Sequence, residues 1–332
     1  HCMTLNRRLF CQTAALGALG SMAPGAFANA DKFPGKPIRI IVPYNAGGLV
    51  DTVARHAATA ASPILGQPVL IDNRPGVGGN LGAELVAKSP ADGYTLLCML
   101  SGSLSTGAAV FTKLKYDPGK DLRCFSELIM TNAIWTVNSA LPVKNVKELV
   151  AYSKANPGKV SIGSWGPGTT GNVAQVLLNK RYGADILHVP YKGEAQIMTD
   201  VIGGQVSMGL MSAMIVSAQM KSGKLRPIGV SGANRSSVFP DLPTLAEQGF
   251  KEEAWSMNGP VAMFSPQGMD PKVLATLGAA FAQSAKGPKM QAFAKEVGVE
   301  VAGNTPEQAQ AHFERYFAVN KRVTQETGVV LD

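Results

Sequence analysis

The chain is poor in cysteine, in charge and in aromatic side chains. Its 332 residues include 4 Cys, 16% charged residues and 7% aromatic residues. Two of the cysteines belong to an N-terminal leader, so Cys98 and Cys124 remain. Cys98 lies in the apolar stretch YTLLCML, which favours an inert buried thiol over a disulfide with Cys124. No cysteine or histidine spacing typical of a metal site is present, and we expect no metal or cofactor.

Long apolar runs are also missing after the leader. No window reaches the 18 or more uninterrupted apolar residues that a membrane helix needs, which predicts a soluble mature protein. The formal net charge is +8. The Lys and Arg residues are scattered and do not form a basic stripe interleaved with aromatic residues, so we expect no nucleic-acid partner. The excess positive charge indicates a solvated surface with mild attraction for anionic ligands.

Residues 1–30 have the pattern of a cleavable export signal. NRRLF (6–10) supplies positive charge, AALGALGSM (14–22) is a short apolar run, and AFANA (26–30) ends in the A-x-A pattern that predicts cleavage after Ala30. Arg7 and Arg8 fit a twin-arginine signal or an ordinary secretion signal. His1 and Cys2, ahead of Met3, are interpreted as an artificial extension. The mature chain is expected to be exported.

From residue 37 onward, short apolar runs alternate with segments of helical pattern. Near-continuous apolar strands separated by amphipathic helices are typical of parallel sheets covered on both faces, which is the α/β class. The predicted strands are 37–42, 68–71, 93–100, 160–163, 186–191, 205–211, 225–231 and 260–264. The predicted helices are 49–61, 80–88, 145–155, 171–181, 194–202 and 213–221, followed by a helical C-terminal part from Asp270. Its last helix starts with a capping box, formed by Thr305 and Gln308 with Pro306 between them.

A strand, a glycine-rich turn and a helix occur in this order at 38–61 and again at 160–181. Two such units about 120 residues apart predict two similar lobes. Ligands of open α/β sheets bind beyond the carboxyl ends of the strands, so both turns would face one cleft.

The first turn, PYNAGGLVD (43–51), is a candidate anion site. Gly47 and Gly48 allow close approach of backbone to a ligand, and the first amides of the following helix have no intrahelical acceptor. Asp51 would repel an anion, and its position favours a bond to the amides of its own turn over contact with a ligand. Tyr44 either faces the cleft or fills the base of the lobe.

The second turn offers hydroxyl groups as well as bare backbone. Ser164, Thr169 and Thr170 carry the hydroxyls, and Gly166 and Gly168 expose amides, so together they suit a carboxylate. A threonine at this place is also a common N-cap. Tyr191 presents the same two alternatives as Tyr44. Ser101 and Ser103 follow a predicted strand and are expected to point into the cleft, although serine-rich loops are common without a function.

Five segments together resemble the solute-binding proteins of tripartite tricarboxylate transporters, the Bug proteins. They occur in this order from about residue 33 to the C-terminus: KPIRIIVPYNAGGLVDTVAR, VLIDNRPGVGGNLGAELVAKSPADGYTLL, GSWGPGTTGNVA, HVPYKGEAQIMTDVIGGQV and FPDLPTLAEQGF. The resemblance implies a type II-like periplasmic binding protein fold with two lobes and a central ligand cleft. Residues 31–130 with 231–332 would form lobe 1, and residues 131–230 would form lobe 2.

The resemblance also implies what the protein binds. The loops at 43–51 and 164–170 would clasp a small carboxylate, and a monomeric receptor would deliver it to the membrane subunits of a transporter driven by an ion gradient. The candidate ligand-binding residues are Tyr44, Asn45, Ala46, Gly47, Gly48, Ser101, Ser164, Trp165, Gly168, Thr169, Thr170, Tyr191 and Met211.

This sequence departs from the family pattern at several positions. Asn172 stands where His is common, Met211 stands where a strand usually ends in Asp, and Trp165 is unusually large for the glycine loop. Together with Met208, these residues favour an apolar or aromatic body on the ligand, such as terephthalate or another aromatic carboxylate. Trp165 could instead face solvent or pack under the loop.

Two other classes of function remain as alternatives. GVGGNLG (76–82) imitates a dinucleotide fingerprint, but DNRP separates it from the strand, and no acidic residue ends a second strand about 20 residues further on. No G-x-S-x-G elbow is present, and the histidines lack partners at telling spacing, so an exported enzyme is the weaker alternative. A ligand-binding sensor read by a signalling receptor would need the same cleft, and the sequence does not separate it from a transport receptor.

Overall fold

The computed structural model describes residues 33–256 and 259–331, so the predicted leader lies outside the described part. The strands are β1 (Ile38–Val42), β2 (Val69–Asn73), β3 (Thr95–Leu100), β4 (Leu122–Met130), β5 (Ala133–Asn138), β6 (Val160–Ser164), β7 (Ile186–Pro190), β8 (Met208–Ser212), β9 (Leu225–Ser231), β10 (Val261–Pro266) and β11 (Glu300–Val301). The helices are α1 (Leu49–Leu65), α2 (Asn80–Ala87), α3 (Ser101–Val110), α4 (Pro118–Asp121), α5 (Val146–Ala155), α6 (Thr170–Tyr182), α7 (Glu194–Gly203), α8 (Ala213–Gln219), α9 (Pro271–Lys286), α10 (Pro288–Val297) and α11 (Pro306–Glu326).

The strands form two separate sheets, one in each lobe. The order in the first sheet is β11-β4-β10-β3-β1-β2, and the order in the second is β7-β6-β8-β5-β9. β1 pairs in parallel with β2 and β3, and β6 pairs in parallel with β7 and β8. In each sheet, therefore, the carboxyl ends of the parallel strands lie on the same side, and the strands lead into helices there. This topology places the turns after β1, β3 and β6 at the ends of their sheets, where ligands of α/β proteins bind.

Apolar helix faces cover the sheets. In α1, Val53, Ala54, Ala57 and Ala61 are all fully buried, and their spacing matches the helical repeat. The helix ends at Gly66, whose φ of 67° is the left-handed conformation that glycine adopts without strain. None of the described helices is long and apolar enough to cross a bilayer.

The chain passes between the lobes twice, once through a short connection and once through a longer one. β4 ends at Met130 and β5 begins at Ala133, so only residues 131–132 connect the two sheets there. The return runs from β9 to β10 through residues 232–260. Leu245, Phe250 and Trp255 of this segment pack in the core of the second sheet. That packing favours a second crossing later than the predicted one near residue 231, and we propose that it lies after Trp255.

The eight predicted strands and the predicted helices are present, but the sequence missed several elements. β4, β5 and β11 were not predicted, and the serine-rich segment 101–110 is the helix α3 instead of a loop. The predicted parallel pairing is present in part of each sheet, but both sheets are mixed, because β10 runs antiparallel to β3 and β4, and β5 runs antiparallel to β8 and β9. Cys98 and Cys124 are free and buried, as the sequence favoured, and the capping box at Thr305 is confirmed.

Candidate functional site

The first turn is held in shape by Asp51. Its carboxylate accepts hydrogen bonds from the amide of Gly47 at 3.0 Å and from Asn73 Nδ2 at 2.9 Å, and Arg55 Nε donates to it at 3.0 Å. Burial alone would raise the pKa of Asp51, but these bonds, first of all that from Arg55, hold it below its usual value. Asp51 therefore supports its own turn, which is the role the sequence favoured.

A carboxylate of the second lobe occupies the start of α1. Oε1 of Glu194 accepts a hydrogen bond from the amide of Leu49 at 2.5 Å and another from Ser212 Oγ at 3.0 Å, and Oε2 accepts from the amide of Ser212 at 2.8 Å. Glu194 is only 3% exposed. Burial raises its pKa, whereas the three donated bonds favour the ionised form. The anion that the first turn receives is thus part of the protein.

Glu194 was not predicted as a site residue. It opens α7, directly after the turn that follows β7, and an acidic residue in a first helical turn usually serves to stabilise its own helix dipole. Its position after Gly193 in YKGEAQ, within one of the five segments that resemble the family, is the one signal that the sequence gives.

The second turn uses most of its hydroxyl groups internally. Ser164 Oγ accepts from the amide of Gly166 at 3.1 Å and lies 2.6 Å from Nε2 of His188. Thr169 Oγ1 donates to the carbonyl of Gly166 at 2.7 Å. Burial lowers the pKa of His188, so its ring is neutral near pH 7. These bonds fix the loop, and the first amides of α6, which lack intrahelical acceptors, are left facing the cleft.

A third helix start completes the site from the first lobe. α3 begins directly at the end of β3, and its N-cap, Leu100, provides no side-chain cap. The hydroxyl oxygen of Ser101 is buried and has no hydrogen-bond partner in the part of the chain that the structure describes. The amide of Ser101 donates to the carbonyl of Pro260 at 3.0 Å, so the residues that the start of α3 presents to the cleft are Gly102 and Ser103, neither of which carries a formal charge.

The larger of the two hollows that Trp165 lines, termed the main hollow, lies between the starts of α3 and α6. Its empty volume is about 520 Å³, part of it open to solvent. The first lobe contributes Leu100, Gly102, Ser103 and Gly259, and the second lobe contributes Ser164, Trp165, Thr169, Thr170, Gly171, Leu210 and Ser212. Thr131, Asn132 and Ala133, at the short crossing, close one side. Two helix N-termini of opposite lobes thus converge on one space, which suits an anion shared between them.

A second hollow of about 290 Å³ lies between the first turn and α7. Tyr44, Asn45, Gly48, Trp165 and Glu194 are among its lining residues. Trp165 lines both hollows, and its ring centre lies 5.9 Å from that of Tyr44. Nε1 of Trp165 is buried and has no partner among the described residues. The Trp165 ring, beside that of Tyr44, therefore forms an aromatic wall shared by the two hollows.

Six candidate residues do not line either hollow, namely Ala46, Gly47, Ser101, Gly168, Tyr191 and Met211. The Tyr191 hydroxyl donates to Asp200 Oδ2 at 2.6 Å, which directs the ring towards α7. Met211 is fully buried in the core of the second lobe. Because side chains alternate along a strand, Leu210 and Ser212 face the hollow and Met211 between them faces away. Ala46 is exposed at the tip of its turn.

Gly168, Gly47 and Met208 were also expected at the cleft, and the structure places them elsewhere. Gly168 contacts the end of α3 from across the cleft, since an added Cβ would lie 2.7 Å from the Phe111 ring. Gly47, at φ 88°, is exposed and lies outside the lining of both hollows. Met208 is buried in the core of the second lobe and does not contribute to the cleft. Of the three large apolar residues that favoured an apolar ligand, only Trp165 lines the cleft.

Comparison with known proteins places this architecture in one family. The sequence model of the tripartite tricarboxylate transporter family receptor matches residues 53–329. The protein BugT of Bordetella pertussis is 32% identical over 334 aligned residues, which cover 99% of this chain and 100% of BugT. A UPF0065 protein from the gbd 5' region of Cupriavidus necator is 38% identical, covering 81% of this chain and 80% of that protein.

Solved structures agree with the sequence relatives. The periplasmic binding protein BugD superposes with a TM-score of 0.83 at 30% identity, covering 90% of this chain and 99% of that chain. Rpa4515 of R. palustris, solved with adipate, gives 0.82 at 29% identity, with 90% and 99% coverage. MatC of Rhodopseudomonas palustris, solved with malate, gives 0.82 at 25% identity, with 88% and 100% coverage. The fold is therefore that of two-lobed periplasmic binding proteins.

Proposed function

The chain belongs to the tripartite tricarboxylate transporter receptor family, and on that basis we propose that it binds a small carboxylate with an apolar or aromatic body in the cleft between its lobes. The family consists of substrate-binding proteins for transporters and not of enzymes. We further propose that the protein works in the periplasm as a monomer and delivers its ligand to the membrane subunits of such a transporter.

The convergence of the α3 and α6 N-termini on the main hollow carries the ligand assignment. Amides at a helix start point along the axis and add partial positive charge, so they bind a carboxylate without a basic side chain. The Nε1 of Trp165, which has no partner among the described residues, adds a donor from the second lobe. Adipate and malate, bound by two structural relatives, support a carboxylate.

The walls of the hollow support an apolar body on the ligand. Leu100 and Leu210 face it from the two lobes, and the Trp165 ring forms the wall beside the first turn. Burying such surface against a ligand stabilises the complex at roughly 25 cal/mol per Å² of apolar area before the costs of association. A purely polar ligand of the same size would leave this surface without a partner.

Tryptophan fluorescence tests the proposal directly. Trp135 and Trp255 are buried in the second core, so Trp165 is the one of the three tryptophans that contacts the cleft. Benzoate, hexanoate, adipate and malate should be titrated while emission and melting temperature are recorded. We expect at least one carboxylate to change the emission and to raise the melting temperature by mass action.

The Trp165→Phe variant is the control for the signal. It should lose the emission change while it keeps a ligand-dependent rise in melting temperature, because phenylalanine retains most of the apolar wall. If no carboxylate of the panel stabilises the wild-type protein at millimolar concentration, the proposed function is wrong.

A further inference from the structure

Glu194 distinguishes the two ends of the cleft. We propose that Glu194 makes the protein selective for a ligand that carries one carboxylate and an uncharged, apolar far end, because this side chain already places a negative charge at the start of α1. The inference rests on the proposed function, since it narrows the class of carboxylate that the same cleft accepts.

The contacts of Glu194 fill the anion site at the first turn. Both of its carboxylate oxygens accept hydrogen bonds, one from the amide of Leu49 in the first lobe and two from Ser212 in the second. A ligand carboxylate at this place would have to displace a buried carboxylate from its donors. The amides at the start of α6 and the first turn of α3 are the alternative anion site, and they lie in the other hollow.

The charges around the second hollow oppose a second anionic group. Asp51 and Glu194 are both among its lining residues, whereas no Lys, Arg or His of the described chain lines either hollow. Arg55, one turn further along α1, is bonded to Asp51 and has a side chain that is 52% exposed. A ligand carboxylate placed there would meet the charge of Glu194, whose donors among the described residues are all uncharged, in a poorly solvated space.

The remaining lining of the second hollow is suited to an apolar group. Tyr44, Leu49, Val50 and Trp165 contribute their side chains or backbone, and the first three are at most 6% exposed. A methylene chain or a ring end gains by leaving water for such surroundings, while a charged ammonium would lose its hydration. The far end of the ligand is therefore assigned as apolar and not as cationic.

Three ligands of nearly equal length test this assignment. Hexanoate, adipate and 6-aminohexanoate share a carboxylate and a six-carbon chain, and they differ only in whether the far end is apolar, anionic or cationic. Isothermal titration of the wild-type full chain should give a dissociation constant for hexanoate at least about tenfold lower than for either of the others. Tighter binding of adipate or of 6-aminohexanoate overturns the inference.

The Glu194→Gln variant tests the residue itself. Removing the charge should strengthen adipate binding so that hexanoate and adipate differ by less than about threefold. Glu326→Gln, which removes one charge from an exposed side chain on α11, should keep the wild-type ratio. An unchanged ratio in Glu194→Gln overturns the inference. If that variant does not fold, the three wild-type affinities still decide it.

The failure of this inference differs from failure of the proposed function. A wild-type protein that binds adipate more tightly than hexanoate is still a carboxylate receptor, and only the selectivity is then wrong. A protein that binds none of these ligands and none of the fluorescence panel refutes both.

Discussion

The amide of Leu49 donates a hydrogen bond of 2.5 Å to Oε1 of Glu194, across 145 residues of sequence and between the two lobes. Close to it, the amide of Asn45 donates to the carbonyl of Lys192 at 3.0 Å. The first lobe is therefore bonded directly to the turn before α7 and to its first residue. Any rotation that separates the lobes must break these bonds, so they belong to the closed form of the protein.

Gly48→Ala should weaken ligand binding by disturbing this contact. Gly48 has φ −84° and ψ 174°, which alanine adopts without strain, but its added Cβ would lie 3.2 Å from Cγ of Glu194. Crowding of this kind costs about 1 kcal/mol, so we expect an affinity about fivefold lower by isothermal titration. In a Glu194→Ala background the same change should have little effect. Equal losses in both backgrounds would show that Gly48 acts by another route.

Thr169→Ala and Thr170→Ala should have different effects. Thr169 is 1% exposed and its hydroxyl bonds the Gly166 carbonyl, so its loss should lower the free energy of unfolding by about 1 kcal/mol. Thr170, at the first position of α6 and in the lining of the main hollow, should leave stability unchanged and reduce carboxylate affinity about fivefold. Chemical denaturation and titration separate the two effects, and Thr169→Ser should restore the stability. Wild-type affinity in Thr170→Ala would remove its hydroxyl from the binding site.

Asp51→Asn should reveal a stability contribution that depends on pH. The folded pKa of Asp51 lies below its ordinary value of 3.8, so the unfolded chain takes up this proton first as the pH falls. The contribution is complete above about pH 4 and disappears as the pH drops through the folded pKa. The difference in unfolding free energy between wild type and Asp51→Asn should therefore shrink with acid below about pH 4. Urea unfolding from pH 7 to pH 3 measures it, and a difference that grows with acid would contradict the assignment.

Local patterns were enough to predict most of the fold. Strand β1 and helix α1 follow from PIRIIV and from the spacing of apolar residues after Gly48, and the last helix follows from its capping box. Segment 101–110 shows the limit of such patterns. Its serines and glycines disfavour a helix in isolation, and it is helical because its residues are buried between β3 and α11.

The candidate site was predicted less completely because it depends on contacts between lobes. The turn before α6 was predicted at the cleft, and Ser164, Trp165, Thr169 and Thr170 are among the residues that line the main hollow. Side chains alternate along a strand, so Leu210 or Ser212 would have been predicted in place of Met211 if it had been known which face of β8 points to the cleft. Glu194 could not be recognised, since its partner Leu49 lies in the other lobe and no local pattern connects them.

The two-residue crossing at 131–132 borders the main hollow, which has a kinetic consequence. Atoms near a pivot move least when two bodies swing about it, whereas the start of α1 and the turn before α7, at the far rim, travel furthest. A ligand that contacts Asn132 can therefore bind before the two lobes close, and the contacts at the rim form afterwards. We therefore expect ligand binding in two steps, a fast association near the crossing and a slower closure of the lobes, with the second step setting the lifetime of the complex.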